Sequence, residues 1–156
     1  MSIVDPHRNL LEAVVAADHQ GLGSVLVELG RTPETPGVVA ELLADVDHRV
    51  RVHMAVVERV LLPPLTGEQR GHIADQVVAN HDLVRRDLAR LHERDRDTRT
   101  AVRDLESDLA DQVAYEDGVV VPAVEDAVGL QGADGLAFAY SRMIDSGVSS
   151  PAGPLA

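Results

Sequence analysis

The sequence predicts an all-α protein: a four-helix bundle followed by a short fifth helix. Apolar residues recur at spacings of three and four along four long segments that proline or glycine separates. That period is typical of helices with one buried face. The chain also contains an approximate internal repeat, since HMAVVERVLLPPL at 53–65 resembles QVAYEDGVVVPAV at 112–124. Such a repeat indicates two related helical hairpins, which together would form a four-helix bundle.

The breaks between apolar segments give the expected bounds of each helix. Helix 1 is predicted from about residue 7 to 29, helix 2 from about 37 to 62, and helix 3 up to about 93. Thr66 with Gln69 three residues later predicts a capping box at the start of helix 3. Helix 4 is expected to begin near residues 97–100 and to stop or kink at Pro122.

The segment after helix 4 is expected to be a loop from 129 to 135 that leads into the fifth helix. That helix, ADGLAFAYSRMIDSG, ends near residue 147. Its apolar residues are expected to cap the bundle, namely Leu136, Phe138, Ala139 and Met143. Residues 1–146 are thus predicted to form one domain, with a disordered tail over 147–156 that has little to bury.

Composition narrows the classes of function. The chain has 156 residues, enough for one domain with a substantial core, and it has no cysteine, which excludes disulfides, thiolate metal sites and thiol catalysis. Its net charge is −12, so nucleic acid and anionic membranes are not expected partners. No apolar run approaches the roughly 18 residues of a membrane helix. A soluble cytoplasmic protein is therefore expected.

Five polar residues lie on the apolar stripes and are expected to face the bundle axis. They are His19, His53, His81, Gln112 and Glu116. The first three come from three different predicted helices, and the last two are four residues apart on the fourth. Helical bundles commonly hold metal ions with inward polar side chains of this kind. The remaining histidines, such as His48 and His72, lie off these stripes and are expected at the surface.

Four motifs in order resemble those of the hemerythrin-like (HHE cation-binding) family. They are the aspartate–histidine pair in helix 1, HMAVVERVLLP in helix 2, a histidine in helix 3 and the acidic segment ending VVVP in helix 4. The resemblance covers about residues 7–145. It implies an up-down-up-down four-helix bundle, and in many family members a pair of irons that binds or reacts with oxygen species.

Carried over residue by residue, the resemblance implies four metal ligands. They are His19, His53, His81 and Glu116. The chain departs from the family pattern at Val57, which replaces a glutamate, at Gln112, which replaces a histidine, and at Val77, which replaces an optional histidine. Glu58 lies roughly 140° around the helix from His53, so we expect it to point elsewhere and not to replace the missing carboxylate.

The remaining residues could coordinate a single divalent ion such as iron, zinc, manganese or nickel. Gln112 and Tyr115 are predicted to contact such a cofactor, although Tyr115 could instead be a packing residue. One hypothesis is a binding module with one iron or similar ion for oxygen, nitric oxide or iron sensing. The alternative is a metal-free bundle whose polar core fixes the helix register or binds a small ligand or protein partner. A di-iron, peroxide-decomposing enzyme is disfavoured by Val57 and Gln112.

Overall fold

The computed structural model describes residues 9–31, 36–93 and 97–147. This part of the chain is helical and contains no strand, which confirms the all-α prediction. The helices are α1 (Leu10–Arg31), α2 (Pro36–Val56), α3 (Gly67–Leu91), α4 (Thr98–Tyr115) and α5 (Val121–Ser146). They pack as a bundle in which α1 contacts α2, α4 and α5, and α3 packs mainly on α4. The predicted tail lies outside the described residues beyond Gly147.

Two of the helices change to the wider π geometry for one turn. One π turn, Val57–Leu61, continues α2, and the other, Glu116–Val120, joins α4 to α5. In each turn a backbone N–H reaches the carbonyl five residues earlier. Both turns begin six residues before a proline, Pro63 and Pro122. Because a proline ring crowds the preceding turn of a regular helix and donates no hydrogen bond, a wider turn accommodates it. The sequence repeat is therefore also a repeat of backbone geometry.

The two prolines nevertheless have different outcomes. The helix that begins with α2 ends at Leu61, before Pro63, whereas at Pro122 the chain continues as helix into α5. Of the stop or kink predicted at Pro122, the stop is therefore wrong. Pro122 lies in the first turn of α5, directly after the π turn, where proline is well tolerated. The loop predicted over 129–135 shrinks to Gly129, whose φ of 70° and ψ of 177° bend the chain. Only glycine adopts this conformation readily, and helix geometry resumes immediately afterwards.

The starts of α4 and α3 are capped differently. Asp97 accepts a hydrogen bond from the Arg99 amide at 3.0 Å, which fixes the start of α4 where the sequence predicts it. Thr66 is extended at the start of α3, but its side chain makes no capping bond, so the capping box with Gln69 is not formed. Gly67 follows with a positive φ of 72°, and this left-handed entry differs from the one a capping box requires.

Buried apolar residues form two separate clusters along the bundle. The proline-end core includes Leu11, Val15, Val56, Val57, Leu61, Val77, Val120, Val124 and Tyr140. The far core includes Leu22, Leu26, Val46, Val50, Val84, Leu88, Leu105 and Leu109. On α1, His19 lies between members of the two clusters, and on α3 His81 does the same. The hydrophobic effect thus fixes the bundle above and below a layer of polar side chains.

The fifth-helix segment packs on the bundle with a different face from the one predicted. Leu136 and Met143 contact the proline-end core as expected. Phe138, however, is 66% exposed, and Ala139 is also exposed. The buried positions are instead Ala133, Ala137 and Tyr140. Their spacing of four and three defines the inward stripe of this helix, which two alanines and the large Tyr140 side chain form.

Helix α1 bears on the expectation that the chain has no membrane-spanning segment. By length and composition alone, Leu10–Arg31 is apolar enough to cross a membrane. A buried core helix passes the same test, and α1 packs its buried face against α2 and α5. One such helix is weak evidence for a membrane span.

Candidate metal centre

The five polar residues on the predicted stripes lie together in the layer between the two cores. His53, His81, Gln112 and Glu116 are fully buried, and His19 is 8% exposed. They come from α1, α2, α3, α4 and the π turn that follows α4. We call this group the polar layer. Since a buried charge is costly unless it is paired, the contacts inside the layer decide what it can bind.

Glu116 is the centre of the polar layer. Its Oε2 lies 2.9 Å from His19 Nε2 and 3.1 Å from His53 Nε2. Its Oε1 lies 3.6 Å from His81 Nε2 and accepts a hydrogen bond of 2.8 Å from Gln112 Nε2. Three imidazole Nε2 atoms therefore face one carboxylate. Helix α4 sets the position of Glu116, whose backbone N–H bonds to the Gln112 carbonyl, and the π turn begins at this residue.

The outer nitrogen of His53 is held by groups that the sequence analysis did not identify. His53 Nδ1 lies 2.7 Å from Asp18 Oδ2, and Tyr140 donates a hydrogen bond of 2.6 Å to the same oxygen. Asp18 could have been suspected because it precedes His19 in the sequence. Tyr140 is 122 residues away from Asp18, and nothing in its local sequence distinguishes it from a packing residue.

The outer nitrogens of the other two histidines also face carboxylates. His81 Nδ1 lies 2.6 Å from Glu58 Oε1, which also accepts a hydrogen bond of 2.9 Å from Arg85. His19 Nδ1 lies 3.0 Å from Asp117 Oδ1, without the alignment of a hydrogen bond. Histidines that bind metals usually have the second ring nitrogen held by a carboxylate in this way.

The expectation that Glu58 points away from the site is wrong in part. Glu58 does not join Glu116, because the two carboxylates contact opposite nitrogens of the His81 ring. It does reach the site from outside, with its side chain 34% exposed, and orients His81. The angle between His53 and Glu58 describes one helix, whereas His81 comes from the neighbouring helix α3 and meets Glu58 on its outer side.

Gln112 and Tyr115 are the two predicted cofactor contacts, and only Gln112 lies in the polar layer. Gln112 lies inside the polar layer, and its Nε2 is also 3.2 Å from His53 Nε2. Tyr115 is half-buried and packs against the proline-end core. Among the described residues, no hydrogen bond joins Tyr115 to the polar layer. The tyrosine that reaches the site is Tyr140.

Charge within the layer is strongly coupled. Burial alone would raise the pKa of Glu116, but the charge of His53 and hydrogen bonds from His19 and His53 outweigh it and hold the pKa well below its usual value. Burial would likewise lower the pKa of His53, but the charge of Glu116 and the hydrogen bond with Asp18 raise it to about 10. At neutral pH and without a metal, these shifts favour an ionised Glu116 beside a protonated His53. A metal ion would have to displace that proton.

The donor set suits one metal ion. His19, His53 and Glu116 each offer a ligand atom, and these atoms lie within 4.8 Å of one another. Two further buried atoms, His81 Nε2 and Gln112 Oε1, have no hydrogen-bond partner. Leaving buried polar atoms unpaired is costly, so both indicate room for a further interaction in the layer. Imidazole nitrogens with a carboxylate suit iron, zinc, manganese or nickel.

The described residues around the polar layer offer too few ligands for a second metal ion. Val57, where the resemblance implies a glutamate, is fully buried in the proline-end core and offers no oxygen. In the described residues, the group around Glu116 is the one set of histidines and acids close enough to hold an ion. The residues present therefore fit one metal ion and not two.

The fold and the polar layer together define a helical bundle with an internal histidine–carboxylate site that could hold a cation. Residues 9–124 match the Hemerythrin HHE cation binding domain, and the chain belongs to this family. The resemblance found in the sequence is thereby confirmed. The chain matches no curated protein and no solved structure.

Proposed function

We propose that this domain binds a single transition-metal ion, preferably iron, and serves in sensing oxygen, nitric oxide or iron. The proposal includes the up-down-up-down helix order that the family resemblance implies. The observation that carries it is the orientation of His19, His53 and His81. Each directs Nε2 towards Glu116 while a carboxylate faces its Nδ1. This arrangement suits imidazoles that share one ion with a carboxylate.

Each part of the layer has a physical task in this proposal. His19, His53 and Glu116 would hold the ion, with His81 and Gln112 beside it. Glu116 supplies a buried negative charge that attracts the cation, and the two apolar cores limit access of water, which strengthens that attraction. Asp18 and Glu58 fix the ring orientations of the histidines that they contact. A bound iron would supply open coordination positions and a redox couple.

The test is metal content after anaerobic loading with iron(II). We expect about one iron per chain by mass spectrometry and a rise in the melting temperature, because a ligand that binds only the folded state stabilises it. Glu116→Gln keeps the shape and removes the charge, so it should lose most of the iron. Nitric oxide added to the loaded protein should change its electron paramagnetic resonance spectrum.

His72→Ala provides the matched control, since His72 is exposed on α3 outside the polar layer. It should bind as much iron as the native chain. Equal iron in the native protein and in Glu116→Gln would rule out the site. Two tightly bound irons per native chain would contradict the single-ion proposal and favour the di-iron enzyme.

The metal-free bundle is a second candidate because the layer is largely hydrogen-bonded without an ion. Glu116 already contacts His19, His53 and Gln112 at 2.8 to 3.1 Å. If this candidate is correct, neither iron nor zinc will shift the melting temperature of the native chain. Glu116→Gln would then lower stability while metal content stays at zero in both proteins.

We also propose a cytoplasmic location and a small molecule or protein as partner, rather than nucleic acid or membrane. The support is the net charge of −12, which repels phosphate groups. Co-sedimentation with anionic vesicles and a DNA mobility shift at low salt should both be negative. Binding in either assay would contradict this part of the proposal.

A further inference from the structure

A cavity lies behind the polar layer, between α1, α2 and the C-terminal half of α5. Its volume is about 600 Å³, which is in the range of small-molecule sites. Asp18 and Tyr140 form part of its wall. Since both contact Nδ1 of His53, the cavity approaches that ring from the side opposite Glu116. It is therefore distinct from the proposed metal position.

The polar groups on the inner wall act as hydrogen-bond acceptors. Tyr140 uses its hydroxyl proton to donate to Asp18. Both hydrogen bonds that Asp18 accepts end on Oδ2, so its Oδ1 keeps the capacity to accept. The Asp18 side chain is 12% exposed. A ligand that satisfies this wall must bring hydrogen-bond donors.

The lining has three carboxylates and one guanidinium group, and this charge favours a cation. Arg49 lines the cavity, but its Nε pairs with Asp45 at 3.2 Å, and the two charges offset each other. Asp145 is a further carboxylate on the opposite wall, from α5. The rest of the lining has two polar side chains, His48 and Ser141, and an apolar part made of Val14, Ala17, Leu22, Val52 and Ile144. This surface suits a short aliphatic chain.

We propose that the cavity binds a small organic ammonium ion, a primary amine on a short aliphatic chain. The ammonium group donates to Asp18 Oδ1, and its charge is attracted by Asp145. The chain packs against the apolar wall. This site does not depend on a metal in the polar layer.

The test is titration of the full, metal-free chain with n-butylammonium chloride at pH 7, followed by amide chemical shifts in nuclear magnetic resonance. We expect saturable shifts at lining residues such as Ala17, Val52 and Gly147. Asp145→Asn should weaken binding about two- to fivefold, as for an exposed charge pair. Ser141→Phe should abolish binding, because its larger side chain fills the cavity.

Asp134→Asn is the matched control, because Asp134 is exposed on the same helix and does not line the cavity. It should leave the affinity unchanged. Butan-1-ol, which has the same chain without the charge, should bind at least tenfold more weakly. The proposal is overturned if butanol binds less than tenfold more weakly than the amine, if Asp145→Asn has no effect, or if the lining amides show no saturable shift.

Discussion

At the scale of single residues, Val57 and Gln112 determine the capacity of the polar layer. Val57 is fully buried at the start of one π turn, in the position that Glu116 occupies in the other. With an apolar side chain at this position, no carboxylate is present to bridge two ions. Gln112 offers an amide in place of an imidazole, and its Nε2 donates to Glu116 instead of competing for a metal. These two residues explain why the layer fits one ion.

Restoring both ligands should therefore raise the capacity of the layer. The double change Val57→Glu with Gln112→His is expected to increase iron from about one towards two per chain, measured by mass spectrometry after anaerobic loading. Either single change should do less, since each leaves a second ion short of a ligand. Val56→Glu with Gln112→His is the control, because Val56 is equally buried one position away. Equal iron in the two double variants would contradict the prediction.

At the scale of the helices, local backbone geometry determines which side chains turn inward. The π turns follow from the prolines, and Gly129 sets the direction of the last helical segment, which carries Tyr140 to Asp18. The period of the sequence predicts the helices well because it is a local property. It does not predict that the loop expected over 129–135 is replaced by a bend inside α5, because one glycine, Gly129, is sufficient for the bend.

Gly129 gives a test of this bend. Its backbone conformation is strained for any residue with a Cβ, so Gly129→Ala should lower the free energy of unfolding by about 1–3 kcal/mol. Gly135→Ala is the matched change in the same helix, where a Cβ meets nothing within 4 Å. It should raise stability by about 0.5–1 kcal/mol. Urea unfolding of both variants measures the difference, and equal effects would show that Gly129 is not required for the bend.

The contact between α3 and α4 should depend on pH through Asp87. Its side chain is 3% exposed, and burial together with Asp108 and Asp104 raises its pKa to about 6. When folding raises the pKa of a carboxyl group, that group stabilises the folded state fully at pH values below its unfolded pKa. This stabilisation is lost as the pH rises towards the folded value of about 6. Asp87→Asn should therefore raise stability at pH 7.5 by about 1–3 kcal/mol.

The advantage of Asp87→Asn should shrink as the pH falls to 4, which urea unfolding at several pH values would measure. Asp111→Asn is the control, since Asp111 is exposed on α4. Its effect should be small at every pH. An Asp87→Asn advantage that does not change with pH would contradict the assignment.

At the scale of the whole molecule, the polar layer interrupts the hydrophobic interior and makes folding depend on charge. The two apolar cores supply the main driving force, whereas the layer between them contains an ionised carboxylate beside a protonated imidazole. Removing one partner of such a buried pair is strongly destabilising. Stability should therefore depend on the protonation of this layer more than on the exposed ion pairs, which contribute little.

The sign of that dependence differs between the two kinds of group. The pKa values of Glu116, Asp18 and Glu58 are lowered on folding, so the stability they contribute is present above their unfolded values and is lost as pH falls. The pKa of His53 is raised to about 10, so its contribution is complete below about pH 6.5 and is lost as pH rises to 10.

For the metal-free protein we therefore expect a melting temperature that falls below about pH 4 and again above about pH 7. In Glu116→Gln both limbs should be shallower, because the central charge is gone. Differential scanning calorimetry across this range is the measurement. Identical profiles for the native chain and the variant would show that the layer does not control stability.

The sequence by itself determined the all-α class, the approximate helix bounds and the inward-facing positions of His19, His53, His81 and Glu116. These follow from periodicity, from prolines and from residue type, which are all local along the chain. Only the tertiary structure decided which carboxylate meets each outer nitrogen, that Glu58 orients His81, and that Tyr140 rather than Tyr115 reaches the site. Such contacts depend on the rotation and axial shift of one helix against another. Packing across the whole bundle sets these quantities, so no single stretch of sequence contains them.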